Sequence, residues 1–176
     1  MESNMQESEA LRGLRGWLVL IVIGLVISIS RTAYSLLAVH YPLFADGTFT
    51  VLSTPGTTLY NPLWAPILVS EALINGLFVA TYAYLIYLFI SEHYLFPKVY
   101  IATVIASAVF IPLDAWVCSL VFVDEPIFDS NTTKELARTL ITLFIWVPYM
   151  LVSKRVKATF VMHKPQRADA HTAVIS

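Results

Sequence analysis

The chain has 176 residues, 57% of them apolar and only 13% charged, with a net charge of −1. A soluble domain carries roughly twice that share of charge, so a water-exposed surface of ordinary composition is excluded. Near-neutrality leaves nucleic acid no electrostatic hold, and the length supports one compact bundle with no second domain.

Residues 1–13 are read as a cytoplasmic N-terminal segment, residues 14–160 as the transmembrane domain and residues 161–176 as a flexible cytoplasmic tail. Residues 1–10 are acidic and polar where a secretory signal is basic. The first apolar stretch is too long for a signal core and no small-residue cleavage site follows it, so it is expected to stay as a helix. A crossing helix needs about 20 apolar residues. Beyond its first turn, the first span, 14–39, is interrupted only by Arg31.

The connection 40–61 holds Asp46-Gly47 between two short apolar runs. Asp-Gly favours a two-residue hairpin turn, so a short β-hairpin is predicted here, the alternative being an irregular loop held by Pro42, Pro55 and Pro62. The second span runs from Pro66, suited to a first helical turn, to residue 90. The third runs from Pro97 to residue 123 and contains Pro112 and the only cysteine, Cys118, which is read as a packing thiol. The fourth spans 134–152, contains Pro148, and is preceded by Thr132, whose spacing to Glu135 is that of a capping box. Asn131-Thr132-Thr133 fits a glycosylation sequon but abuts the membrane, and it is treated as accidental.

Orientation follows from Lys and Arg. Arg12, Arg15, Lys98, Lys154, Arg155, Lys157, Lys164 and Arg167 flank one side of the spans. The connections 40–61 and 124–133 have neither residue type and carry Asp46, Asp124, Glu125 and Asp129. The fold predicted is therefore an all-α, four-transmembrane-helix bundle with both termini cytoplasmic. Trp17, Tyr34, Tyr41, Trp64, Tyr94, Tyr100 and Tyr149 lie near span ends, where amphipathic rings settle.

Beyond its first turn, each span contains one charge that lipid disfavours: Arg31, Glu71, Asp114 and Arg138. All four lie at similar depth, about one to three helical turns below the outer surface. Asn75 shares a helix face with Glu71, and Ser70 is adjacent to it. Arg31 either snorkels or pairs inside, whereas Arg138, nearer its helix end, is expected to snorkel. Glu71 and Asp114 are too short to reach water and need a partner, a proton or a wet cavity. Together with Asn75 the four charges are expected to form a buried polar network that is electrically closed. Lys154, Arg155 and Lys157 form a membrane-surface basic motif, an orientation anchor worth about 1 kcal/mol per charge against anionic headgroups. His40 and His93 have no partners at ligand spacing, so neither a metal nor a cofactor is expected. No nucleophile–base pair or phosphate loop is visible, so the chain is not expected to be an enzyme.

Gly13-Leu14-Arg15-Gly16-Trp17-Leu18 and Ile145-Trp146-Val147-Pro148-Tyr149, followed by Ser153-Lys154-Arg155-Val156-Lys157-Ala158-Thr159-Phe160, form a pattern with Pro66, Glu71 and Asn75. This pattern resembles a bacterial family of small four-helix inner-membrane proteins catalogued only as a domain of unknown function. The likeness spans residues 13–160, and the C-terminal motif is its specific part. It implies a multi-pass protein of the bacterial inner membrane. Trp17, Glu71, Asn75, Trp146, Pro148, Tyr149, Lys154 and Arg155 are the matching positions, and the resemblance brings no activity.

The sequence favours a membrane-embedded interaction or accessory protein, whose partners are the lipid bilayer and another membrane protein or a second copy. A small transporter or ion- or proton-conducting protein using Glu71 or Asp114 comes next, and an intramembrane enzyme is third. Equal numbers of buried acids and bases place the interaction protein first.

Overall fold

The structure, a computed structural model, describes residues 13, 16–122 and 126–161. The segment 1–12 and the tail from residue 162 lie outside the described residues. Helix α1 (Trp17–Ser35) starts where Gly16, at φ 64°, turns the chain into it. Its apolar run does not stop at residue 39. A π-helical turn, Leu36–His40, joins it to α2 (Tyr41–Ala45), and the three pieces form one continuous 29-residue span. Pro42 has no N–H to donate four residues back, and the wider turn immediately precedes it. There the Tyr41 N–H reaches back five residues to Leu36 O.

The chain does reverse at Asp46-Gly47, with Gly47 at φ 87°. It continues into helix α3 (Thr48–Ser53), so two short helices stand where the hairpin was expected. The Asp46 carboxylate accepts the Thr48 N–H at 2.9 Å, and Phe44 packs on Phe49 with ring centroids 4.9 Å apart. A lone hairpin is marginal in water, whereas helical turns keep the backbone bonded within each segment.

Helices α4 (Trp64–Ile90) and α5 (Phe96–Ser119) follow, the latter with Pro97 in its first turn and Pro112 inside. Helix α6 (Ser130–Val152) starts one turn before the expected 134. Its cap is Asp129, whose carboxylate accepts the Thr132 N–H at 2.7 Å, and not a box built on Thr132. The short α7 (Lys154–Thr159) carries the basic motif and is capped by Ser153, whose Oγ accepts the Val156 N–H at 3.4 Å.

Helix α1 packs closely on α4, α5 on α6, and α4 on α5. Side chains join α1 to α6: Trp17 meets Trp146 at 6.0 Å and Arg31 meets Glu135 at 3.5 Å. The described chain ends meet at one end of the bundle, here the termini end. Gly13 N–H donates to Thr159 Oγ1 at 3.2 Å, and the Phe160 ring stacks on Phe96 at 4.5 Å. The buried core lies in that half, with Leu18, Ile21, Leu85, Leu88, Phe89, Phe96 and Val156 at its centre. Elsewhere the helices present Leu37, Leu73, Leu77, Ile90, Phe144 and Val152 outward, a surface suited to lipid and not to water. Four helices are long and apolar enough to cross a membrane, and the fold is an all-α transmembrane bundle.

Candidate functional site: a polar cavity at the loop end

At the end opposite the termini, the loop end, the helices part around a cavity of about 540 Å³. Helical periodicity explains its walls. On α4, Glu71, Asn75, Phe78 and Tyr82 form one stripe, and on α5 Ser107, Ile111 and Asp114 form another. Arg31 and Ser35 line it from α1, and Thr132, Glu135 and Thr139 from α6. A smaller cavity of about 150 Å³ lies deeper, toward Tyr100 and Thr103, and holds Arg138 and Thr142 on its wall. The two share Arg31, Tyr82, Ser107, Glu135 and Thr139. A side pocket of about 190 Å³ reaches Asp114, Cys118, Asp129 and Thr132.

The charges pair differently from the closed network read in the sequence. Arg31 lines the cavity with Glu71, Asn75 and Asp114, but its ion pair is with Glu135 at 3.5 Å, both side chains being about half exposed (49% and 54%). Arg138 is exposed at the smaller cavity. Among the described residues no ion pair joins Glu71 or Asp114 to an arginine. The two acids instead lie close together. Glu71, Asp114 and Cys118 each bring one donor atom within 4.8 Å of the others'. On the other side of Glu71, His40 Nε2 stands 3.4 Å from Oε1. His40 is 5% exposed, and its Nδ1 faces the Ser35 carbonyl at 3.4 Å.

Three of these neighbours escaped the sequence. His40 looked isolated because its partner is on another helix. The signal was Pro42 two residues on, which marks an irregular turn able to swing a side chain inward. Cys118 stands four residues after Asp114, on the same helix face, a spacing that was legible. Glu135 was assigned to a capping box, and the earlier start of α6 frees it to meet Arg31.

Two carboxylates outside the spans stay charged. Thr132, through its hydroxyl first and its backbone N–H second, holds Asp129 below the ordinary carboxylate value, and Thr48 does the same for Asp46, backbone first. Both lie at the loop end. The basic motif lies at the other end on α7, with Lys157 exposed and Arg155 partly buried.

No curated protein and no solved structure matches the chain. The family model described as "Protein of unknown function (DUF2569)" matches residues 11–161, and the chain belongs to that family.

Proposed function

We propose that this DUF2569 protein is a multi-pass protein of the bacterial inner membrane that admits a small cation, the proton included, into its loop-end cavity for transport. One observation carries the reading: Glu71 and Asp114 share the wall of one cavity with no arginine among the described residues paired to either. Like charges brought together in a poorly polarisable setting repel, and a bound cation or proton relieves that repulsion. The Lys/Arg asymmetry supports placing the loop end in the periplasm, where Asp46 and Asp129 add negative potential near the entrance. No catalytic role is assigned to these residues.

The interaction reading rested on a closed, neutral network, and the pairing of Arg31 with Glu135 weakens that ground. It keeps one support of its own. A groove of about 490 Å³ between α4 and α5 is lined by apolar and small side chains, with Ala102 and Ala106 one turn apart. Small residues at that spacing let a neighbouring helix approach closely, so the groove suits a second copy or another membrane protein.

The test is flux. Purified protein in proteoliposomes under a cation or pH gradient is expected to dissipate it, with the effect lost in Asp114→Asn and Glu71→Gln and retained in Arg138→Gln. Wild-type vesicles no leakier than empty ones would sink the transport reading, and co-purification of a stoichiometric membrane partner would move the assignment to the α4–α5 groove.

A further inference from the structure

Four side chains of different chemistry converge at the loop end. Glu71 comes from α4, Asp114 and Cys118 from adjacent turns of α5, and His40 from the π-helical turn after α1. Lipid-embedded helices do not ordinarily collect two carboxylates, an imidazole and a thiol, because each is costly away from water without a partner.

His40 is the informative member. A neutral imidazole donates from one nitrogen and accepts at the other. In the tautomer whose Nδ1–H donates to the Ser35 carbonyl, Nε2 turns a lone pair toward a Glu71 oxygen 3.4 Å away. Two acceptors then face one another, which is the arrangement a cation resolves. A ring nitrogen held by a backbone carbonyl is also the usual outer support of a metal-binding histidine. Donors bound at about 2.0–2.1 Å to a tetrahedral ion stand roughly 3.3–3.4 Å apart, as His40 and Glu71 already do. The Glu71, Asp114 and Cys118 donor atoms lie within 4.8 Å of each other and His40 stands beside Glu71, so Glu71 is the member through which side-chain rotations would draw the four onto one ion.

We propose that His40, Glu71, Asp114 and Cys118 form a binding site for a divalent transition-metal cation of the Zn²⁺ class. This deepens the cation-cavity reading and rests on it for access, since the side pocket past Asp129 leads to Asp114 and Cys118. A thiolate beside an imidazole selects borderline-soft ions over Mg²⁺ and Ca²⁺, which prefer oxygen alone. Binding takes in the metal ion and releases the Cys118 thiol proton, so uptake is accompanied by acidification.

The full chain, purified on a tag without histidine, carries its own reporter, because Cys118 is its only thiol. Zn²⁺ is expected to slow maleimide labelling of wild-type Cys118 about tenfold or more, with EDTA restoring it and Mg²⁺ without effect. Co²⁺ is expected to give a near-ultraviolet thiolate charge-transfer band that disappears in Cys118→Ser. His40→Gln and Glu71→Gln should raise the Zn²⁺ concentration needed for protection about tenfold or more. Labelling indifferent to Zn²⁺, or protection that persists unchanged in both variants, would overturn the site and leave His40 and Glu71 as an ordinary ion pair. The two proposals fail separately. Metal-free proton flux without Zn²⁺ protection removes the metal site alone, and Zn²⁺ protection without any flux removes transport alone.

Discussion

The two halves of this bundle are cut from the same four helices and packed by opposite means. Toward the termini, Leu18, Ile21, Leu85, Leu88, Phe89 and Phe96 fill the interior, and Phe160 returns from α7 to stack on Phe96. Toward the loops, the same helices stand apart around carboxylates, an amide, hydroxyls and a half-exposed ion pair. Interiors packed without voids resist deformation, whereas a wet polar cavity offers several arrangements of similar energy. The comparison also constrains mechanism. Among the described residues, the deeper cavity passes Arg138 and Thr142 and meets Ile21, Leu25 and Trp146 of the packed half. Under the proposed transport reading, a cation entering at the loop end would meet this packed half, and crossing would require it to rearrange, as in gated transport.

If that contrast is right, stability resides in one half and binding in the other. The largest effect should come from Phe96→Ala. Phe96 is fully buried, and its loss should cost about 3 kcal/mol, the low end for such a change because lipid takes over part of the transfer term. Reversible unfolding in mixed detergent checks it, and a loss below about 1 kcal/mol would mean that the aromatic half is not the structural floor.

Asp114→Asn and Glu71→Gln test the other side and should go the opposite way. Removing one of two crowded acids relieves repulsion, so melting should hold or rise by about 1 kcal/mol equivalent. A drop comparable to that of Phe96→Ala would make the cavity a structural core and restore the closed-network view.

Smaller still is the Arg31–Glu135 pair, whose half-exposed side chains should contribute no more than about 1 kcal/mol. Arg31→Gln should therefore barely shift melting, and the charge swap Arg31→Glu with Glu135→Arg should recover what little is lost. A large loss in the single variant, rescued by the swap, would show the seam between α1 and α6 to be a true lock.

The smallest effect belongs to Asp129→Ala, which should fray only the first turn of α6, read as faster amide exchange at Thr132 and Thr133. Its pH dependence has a definite sign. The folded carboxyl is held below its ordinary value of 3.8, so its contribution is complete above that pH and fades as pH falls through the lower folded value. The variant should lack this acid-side loss.

The spans, the absence of strands among the described residues and the inward stripe of Glu71 and Asn75 follow from local rules that one sequence already contains. In lipid every backbone group must bond within its own segment, so a run of about 20 apolar residues has little choice but to be helical. Periodicity then states which residues share a face, as Glu71 does with Asn75 and Asp114 with Cys118. It cannot state which faces meet. That depends on how each helix is rotated about its axis and on the π-helical turn at Leu36–His40, which changes the phase of everything after it. Hence four charges of balanced sign read as one closed network, while packing sent Arg31 to Glu135 and His40 to Glu71. The contact between the first and last parts of the bundle shows the same division. Thr159 and Gly13 stand 146 residues apart in the chain, and only the folded bundle brings the hydroxyl of one to the backbone of the other.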